Sequence, residues 1–128
     1  MYINEWDNAD KTIVTQTVAG RISAEEMRQG MIQLGEMIDS VDHDVFMITV
    51  VDNWIWLPKD FGSIVRDYDA HFRKNLVLQL VVGSSYTLRL AMNLASIVAP
   101  QSFERSRMVK SEAEAYELIA QYQQGTPV

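Results

Sequence analysis

The residues of this sequence that could perform chemistry are few and widely spaced. His43 and His71 are the only histidines, and cysteine is absent. The two histidines do not share a metal-ligand spacing, and His71 follows Asp67 by four residues, which indicates a hydrogen bond on a helix surface. Without cysteine, disulfides and thiolate metal ligands are excluded. The sequence therefore predicts neither a metal ion nor another cofactor.

Two further stretches could take part in catalysis. Asp52 follows an apolar run and could act as a general base, but no partner acid or nucleophile stands beside it. The Gly83-Ser84-Ser85 segment precedes a predicted helix, where amides and hydroxyls can hold an anion. It has neither a P-loop nor a Gly-x-Ser-x-Gly elbow, and a turn with Ser85 as the helix N-cap is the simpler interpretation. We therefore predict a non-enzymatic protein, with a small enzyme using Asp52 or the Ser84/Ser85 turn as an alternative.

The strongest functional signal is a cluster of large apolar residues. Trp54, Ile55, Trp56 and Leu57 stand in one short predicted loop. One loop can hardly bury all four side chains, and a remaining exposed apolar patch marks a binding site. The alternative is that the tryptophans simply close the end of the core.

Ligands of open α/β sheets bind at the carboxyl ends of the strands, which is where this loop is predicted to lie. The occupant is expected to be a protein partner, a small apolar ligand or a lipid. The predicted binding residues follow two strands and are Asp52, Asn53, Trp54, Trp56, Ser84, Ser85 and Tyr86.

Charge and hydropathy narrow the class of protein. A net charge of -6 and a pI near 4.8 oppose binding to nucleic acid and electrostatic docking to an anionic membrane. No apolar run approaches the ~20 residues of a membrane-spanning helix, and the first residues do not resemble a secretory signal. We therefore expect a cytoplasmic protein that is not integral to a membrane. An apolar third helix and seven methionines also favour a homodimer.

The strands that position these residues are visible as apolar runs. Val45–Val51 and Leu76–Val82 are nearly continuous, as in parallel strands covered on both faces. Met1–Trp6 and Thr12–Ala19 predict an edge hairpin, and Ser102–Val109 predicts a more polar edge strand.

Helices are predicted between the strands. Capping boxes at Ser23–Glu26 and Ser111–Glu114 begin the first and last helices. Pro58 is expected in the first turn of the second, and the third runs from Tyr86 to Val98. The order ββαβαβαβα predicts one α/β domain over residues 1–128, with a mixed, mostly parallel sheet of about five strands flanked by about four helices.

This order, the Gly20-x-Ile-Ser-x-Glu-Glu passage and the closing Ser-x-x-Glu-Ala helix resemble the STAS (SpoIIAA-like) domains of bacteria. The resemblance implies a curved mixed sheet whose successive strands lie side by side, and a regulatory or interaction module. It also implies an alternative, an anti-sigma-factor antagonist switched by phosphorylation of a serine in an Asp-Ser-Ser/Ala-Gly motif after the third strand. In this sequence Asp52 is followed by Asn53 and Trp54, and the next serine is Ser63.

Overall fold

The computed structural model describes residues 1–128 and contains a five-stranded sheet in the order β1-β2-β3-β4-β5. The first two strands are antiparallel, and the other three pairs are parallel. The predicted mixed, mostly parallel sheet with sequential neighbours is confirmed. Its elements are β1 (Tyr2–Trp6), β2 (Ile13–Val18), α1 (Ala24–Asp39), β3 (Val45–Val51), α2 (Phe61–Ala70), β4 (Leu76–Val82), α3 (Tyr86–Val98), α4 (Pro100–Glu104), β5 (Ser106–Val109) and α5 (Glu112–Gln123).

Helices cover both faces of the sheet, but unequally. Helix α5 alone packs on one face, here called the α5 face, while α1 to α4 pack on the other, the four-helix face. This arrangement buries β3 from both sides, which explains its unbroken apolar run. On the α5 face a filled core forms from Phe46, Ile48, Leu78, Leu80, Val109, Ala115 and Ile119.

The predicted capping boxes form in half of their expected pattern. Ser23 Oγ accepts from the Glu26 N–H at 3.0 Å, and Ser111 Oγ accepts from the Glu114 N–H at 3.1 Å. The glutamates turn elsewhere: Glu26 pairs with the terminal amino group at 3.3 Å, and Glu114 accepts from the Lys110 N–H at 3.0 Å. Both helices therefore begin where the serine caps predict.

The second helix begins later than predicted. The Pro58 carbonyl accepts from the Phe61 N–H at 3.1 Å, so these residues form a turn before the helix. Pro58 is the first residue of this turn, and only its carbonyl takes part in the hydrogen bond, so its missing N–H costs nothing here. Helix α2 therefore begins at Phe61 and not at Pro58.

A fifth helix, α4, replaces the start of the last predicted strand. Pro100 ends α3 as expected but also stands in the first turn of α4. The buried Asp69 carboxylate accepts from the Ser102 N–H at 2.7 Å and from the Ser102 hydroxyl at 2.8 Å. These bonds hold the segment helical, and strand β5 is shortened to Ser106–Val109.

Candidate functional site

The predicted binding residues lie at one edge of the sheet, beyond the carboxyl ends of β3 and β4. These strands pair in parallel, so the loop after β3 and the turn after β4 emerge side by side. Asn53 and Ser84 line one cleft of about 590 Å³, together with Arg89 and Lys110. Asp52 is exposed and lies outside that cleft. The geometry thus separates the candidate base from the polar cleft.

The loop after β3 alternates in direction. Ile55 is buried and Leu57 is partly buried, whereas 81% of Trp54 and 64% of Trp56 are exposed. The alternative in which both tryptophans close the core is therefore wrong.

Backbone pairing with the segment before α1 fixes this alternation. The Trp56 N–H donates to the Gly20 carbonyl at 2.9 Å, and the Ile22 N–H donates to the Trp56 carbonyl at 2.8 Å. The Arg21 guanidinium lies 5.3 Å from the Trp56 ring centroid, within cation–π range. Trp56 is therefore held facing outward by its own backbone.

The start of α3 adds two exposed apolar residues at the same edge. Ser85 Oγ accepts from the Leu88 N–H at 3.1 Å, so this hydroxyl serves as the predicted N-cap. Tyr86 is 70% exposed and Leu90 is 50% exposed. We call Trp54 and Trp56 the tryptophan surface.

The histidines and acids form no metal centre. Nowhere do three His, Asp or Glu side chains gather closely enough to hold an ion. His43 Nε2 lies 2.9 Å from the Lys11 carbonyl, and His71 Nδ1 lies 3.1 Å from the Asp67 carbonyl. Both histidines are therefore engaged in surface hydrogen bonds. No helix has the length and apolar character needed to cross a membrane.

Sequence reasoning missed a polar belt that crosses all five strands on the four-helix face. Ser106 Oγ donates to Gln79 Oε1 at 3.2 Å, and Gln79 Nε2 donates to Thr49 Oγ1 at 3.1 Å. The belt continues from Thr49 Oγ1 to Gln16 Oε1 at 3.3 Å and from Gln16 Nε2 to Asn4 Oδ1 at 2.9 Å. Asn4 Nδ2 then donates to a carbonyl of α1 at 2.8 Å. Every belt member is hydrogen-bonded, which is what allows polar groups to be buried inside a sheet.

A cavity of about 130 Å³ lies over this belt, between the sheet and helices α1 to α3. Of its 21 lining residues 17 are hydrophobic, and none carries a charge. Gln16, Thr49, Gln79 and Ser106 form its polar floor. The cavity thus pairs apolar walls with a few fixed polar groups, the usual composition of a small-molecule site.

Two tyrosines, Tyr2 from β1 and Tyr68 from α2, line this cavity. The Tyr2 hydroxyl donates to Met31 Sδ at 3.5 Å, whereas the buried Tyr68 hydroxyl has no hydrogen-bond partner. Burial raises the pKa of Tyr68 to about 12, and burial together with the nearby Tyr68 also raises the pKa of Tyr2. Both phenols are therefore neutral donors at physiological pH.

Glycine allows this approach of Tyr2 to α1. A Cβ atom at Gly30 would overlap the Tyr2 ring, so only glycine lets the ring lie against the helix there.

Comparison with known proteins shows the fold. No protein-family profile and no curated protein matches the sequence. The structure is similar to that of the phosphorylated form of SpoIIAA, a Bacillus cell fate determinant, with a TM-score of 0.60. The similarity covers 93% of this chain and 99% of that one at 11% sequence identity. The chain therefore has the SpoIIAA-like (STAS) fold predicted from its order of elements.

Proposed function

We propose that this chain is a non-enzymatic interaction module that binds a protein partner through the tryptophan surface. One observation carries the proposal: Trp54 and Trp56 are 81% and 64% exposed, and the backbone of Trp56 is fixed by pairing with Gly20 and Ile22. Exposing rings of this size to water is unfavourable, by about 25 cal/mol per Å² of apolar surface. Burial of the rings in a complex recovers that free energy.

The composition of this surface favours a protein over a lipid membrane. Tryptophan, tyrosine and arginine are the residues that dominate binding energy at protein interfaces, and Arg21 lies beside Trp56 here. The surrounding exposed charges have both signs, with Asp52 and Asp60 as well as Arg89 and Lys110. Recognition of an anionic membrane instead relies on clustered Lys and Arg, and the chain has a net charge of -6.

The other two functions carry less support. A phosphorylation switch needs a hydroxyl in the loop after β3, and the segment from Asp52 to Asp60 has none; Ser63 is exposed but stands inside α2. A hydrolytic or acid–base enzyme needs converging groups, and Asp52 lies apart from the cleft of Asn53 and Ser84. We therefore place the function in the tryptophan surface.

The test is a comparison of two double variants in the natural host. Trp54→Ser with Trp56→Ser removes the surface, and Tyr116→Ser with Tyr122→Ser removes two aromatics that are 39% and 37% exposed elsewhere. Circular dichroism and thermal melting establish that each variant is folded. A specific partner is expected to co-purify with the wild type and the tyrosine variant but not with the tryptophan variant.

Reconstitution then decides the proposal. The purified partner is titrated against each protein by calorimetry, and the tryptophan variant is expected to bind at least 100-fold more weakly. Equal affinity for the two double variants would refute the proposal. A dimer of the chain alone in light scattering, lost in the tryptophan variant, would assign the surface to a second copy instead. Association with lipid vesicles only would assign it to a membrane.

A further inference from the structure

The cavity on the four-helix face has the size and lining of a ligand site. An engineered apolar protein cavity of about 150 Å³ binds benzene, and the volume here is about 130 Å³. No charged side chain lines it. An ion would lose its hydration without gaining a counter-charge, so the occupant must be uncharged.

One polar group of the cavity is a donor without an acceptor. The buried Tyr68 O–H has no partner. Gln16 and Gln79, by contrast, each donate an amide N–H within the belt. An unpaired buried donor is unfavourable, which is why such groups are rare in native proteins. A ligand with an acceptor oxygen would satisfy the Tyr68 hydroxyl.

The cavity adjoins an outer groove between α1 and α2. Met31 and Tyr68 line both the cavity and this groove, whose volume is about 460 Å³. Arg28 and His71 stand in that groove. Met31 is a flexible, unbranched side chain, and we expect its rotation to open the wall between the groove and the cavity.

We propose that the cavity binds a small, uncharged molecule with an apolar body and one acceptor oxygen. The Tyr68 O–H donates to that oxygen, and the molecule enters from the groove between α1 and α2. A short cyclic or branched ketone, aldehyde or ester has this chemistry. The proposal concerns the interior and does not depend on the proposed partner at the tryptophan surface.

Four methionines make the cavity observable. Met27, Met31, Met47 and Met92 line it, while Met37 and Met108 do not. With ¹³C-methyl-labelled methionine, ligand entry is expected to shift the four cavity signals and leave Met37 and Met108 unchanged. Shifts spread equally over all methionines would show non-specific binding and overturn the proposal.

The probes are cyclopentanone and methylenecyclopentane, which are about the size of benzene and have the same shape but differ in having C=O or C=CH₂. Wild-type protein is expected to bind cyclopentanone about tenfold more tightly, corresponding to one recovered hydrogen bond. In Tyr68→Phe that preference is expected to disappear while methylenecyclopentane binding is retained. A preference that survives in Tyr68→Phe, or equal binding of both probes by the wild type, would refute the acceptor site.

A filling variant tests the location independently. Ala95 lines the cavity from α3 and is partly exposed, so Ala95→Leu extends into the space from a tolerant position. This variant is expected to lose binding of both probes. Undiminished binding of both would place the site elsewhere, and the Tyr68→Phe comparison decides the proposal if this variant does not fold.

Discussion

The two faces of the sheet are built from the same strands but differ in what they contain. The α5 face is covered by one helix and is filled by aliphatic and aromatic side chains. The four-helix face has a hydrogen-bonded polar belt, a cavity and a buried hydroxyl without a partner. Both faces have buried apolar clusters, but the features that suit binding lie on the four-helix face.

The largest expected effect compares one leucine from each face. Leu80 is completely buried on the α5 face, whereas Leu88 lines the cavity. Leu80→Ala should lower the free energy of unfolding by about 4 kcal/mol and Leu88→Ala by about 2 kcal/mol, because a side chain beside a void has fewer contacts to lose. Denaturant unfolding measures both. Equal costs would show that the two faces are equally well packed.

The next effect concerns how α4 is attached to the four-helix face. Asp69→Ala removes the acceptor of both Ser102 bonds and should cost about 2–3 kcal/mol. Asp67→Ala, an exposed position on the same helix, serves as the control and should change stability by less than about 0.5 kcal/mol. If the two substitutions cost the same, the Asp69 contact does not hold α4.

A smaller effect is expected when the polar belt is interrupted. Thr49→Val keeps the shape of the side chain but leaves Gln16 Oε1 and Gln79 Nε2 without their shared partner. We expect a loss of about 1–2 kcal/mol in thermal or denaturant unfolding. Thr17→Val, on the opposite face of β2, should be nearly neutral. A neutral Thr49→Val would show that the belt contributes nothing to stability.

The smallest effect at neutral pH has the opposite sign. Tyr68→Phe removes an unpaired buried hydroxyl and should raise the free energy of unfolding by about 1 kcal/mol. At high pH the Tyr68 phenol also lowers the stability of the wild type, because its pKa is near 10 in the unfolded state and about 12 in the folded state. The folded state holds the extra proton in this window, so stability falls as pH rises from 10 to 12.

The alkaline titration provides the check. Tyr68→Phe should reduce the slope of stability against pH between pH 10 and 12 by up to about 1.4 kcal/mol per pH unit, the value for one proton. Tyr2 contributes a slope of the same sign that the variant keeps. An unchanged slope would mean that Tyr68 is not protected in the folded state.

Local signals in the sequence predicted the elements better than the site. The apolar runs gave β3 and β4 with their observed bounds, and serine caps marked the starts of α1, α3 and α5. Helix α4 could not be predicted because its stabilising acceptor, Asp69, lies 33 residues earlier in the chain.

The sequence predicted that a short loop cannot bury all four large side chains, but it left open whether the tryptophans close the core; the structure shows both tryptophans exposed. The cavity was not predicted. Gln16 and Gln79 were its visible signal, each a polar residue at the centre of an otherwise apolar or β-branched strand. The meeting of Tyr2 and Tyr68 depends on packing between β1 and α2, which are far apart in the sequence, and no local pattern records it.

The sequential order of the strands also has a consequence for how the chain folds. Each parallel pair, β2 with β3, β3 with β4 and β4 with β5, joins residues separated by roughly 30 positions, and closing loops of similar length costs similar entropy. Each strand pairs with the strand that precedes it in the sequence, so no pairing requires a segment from much later in the chain. The sheet can therefore grow one crossover at a time from the first hairpin, in the order in which a ribosome delivers the chain.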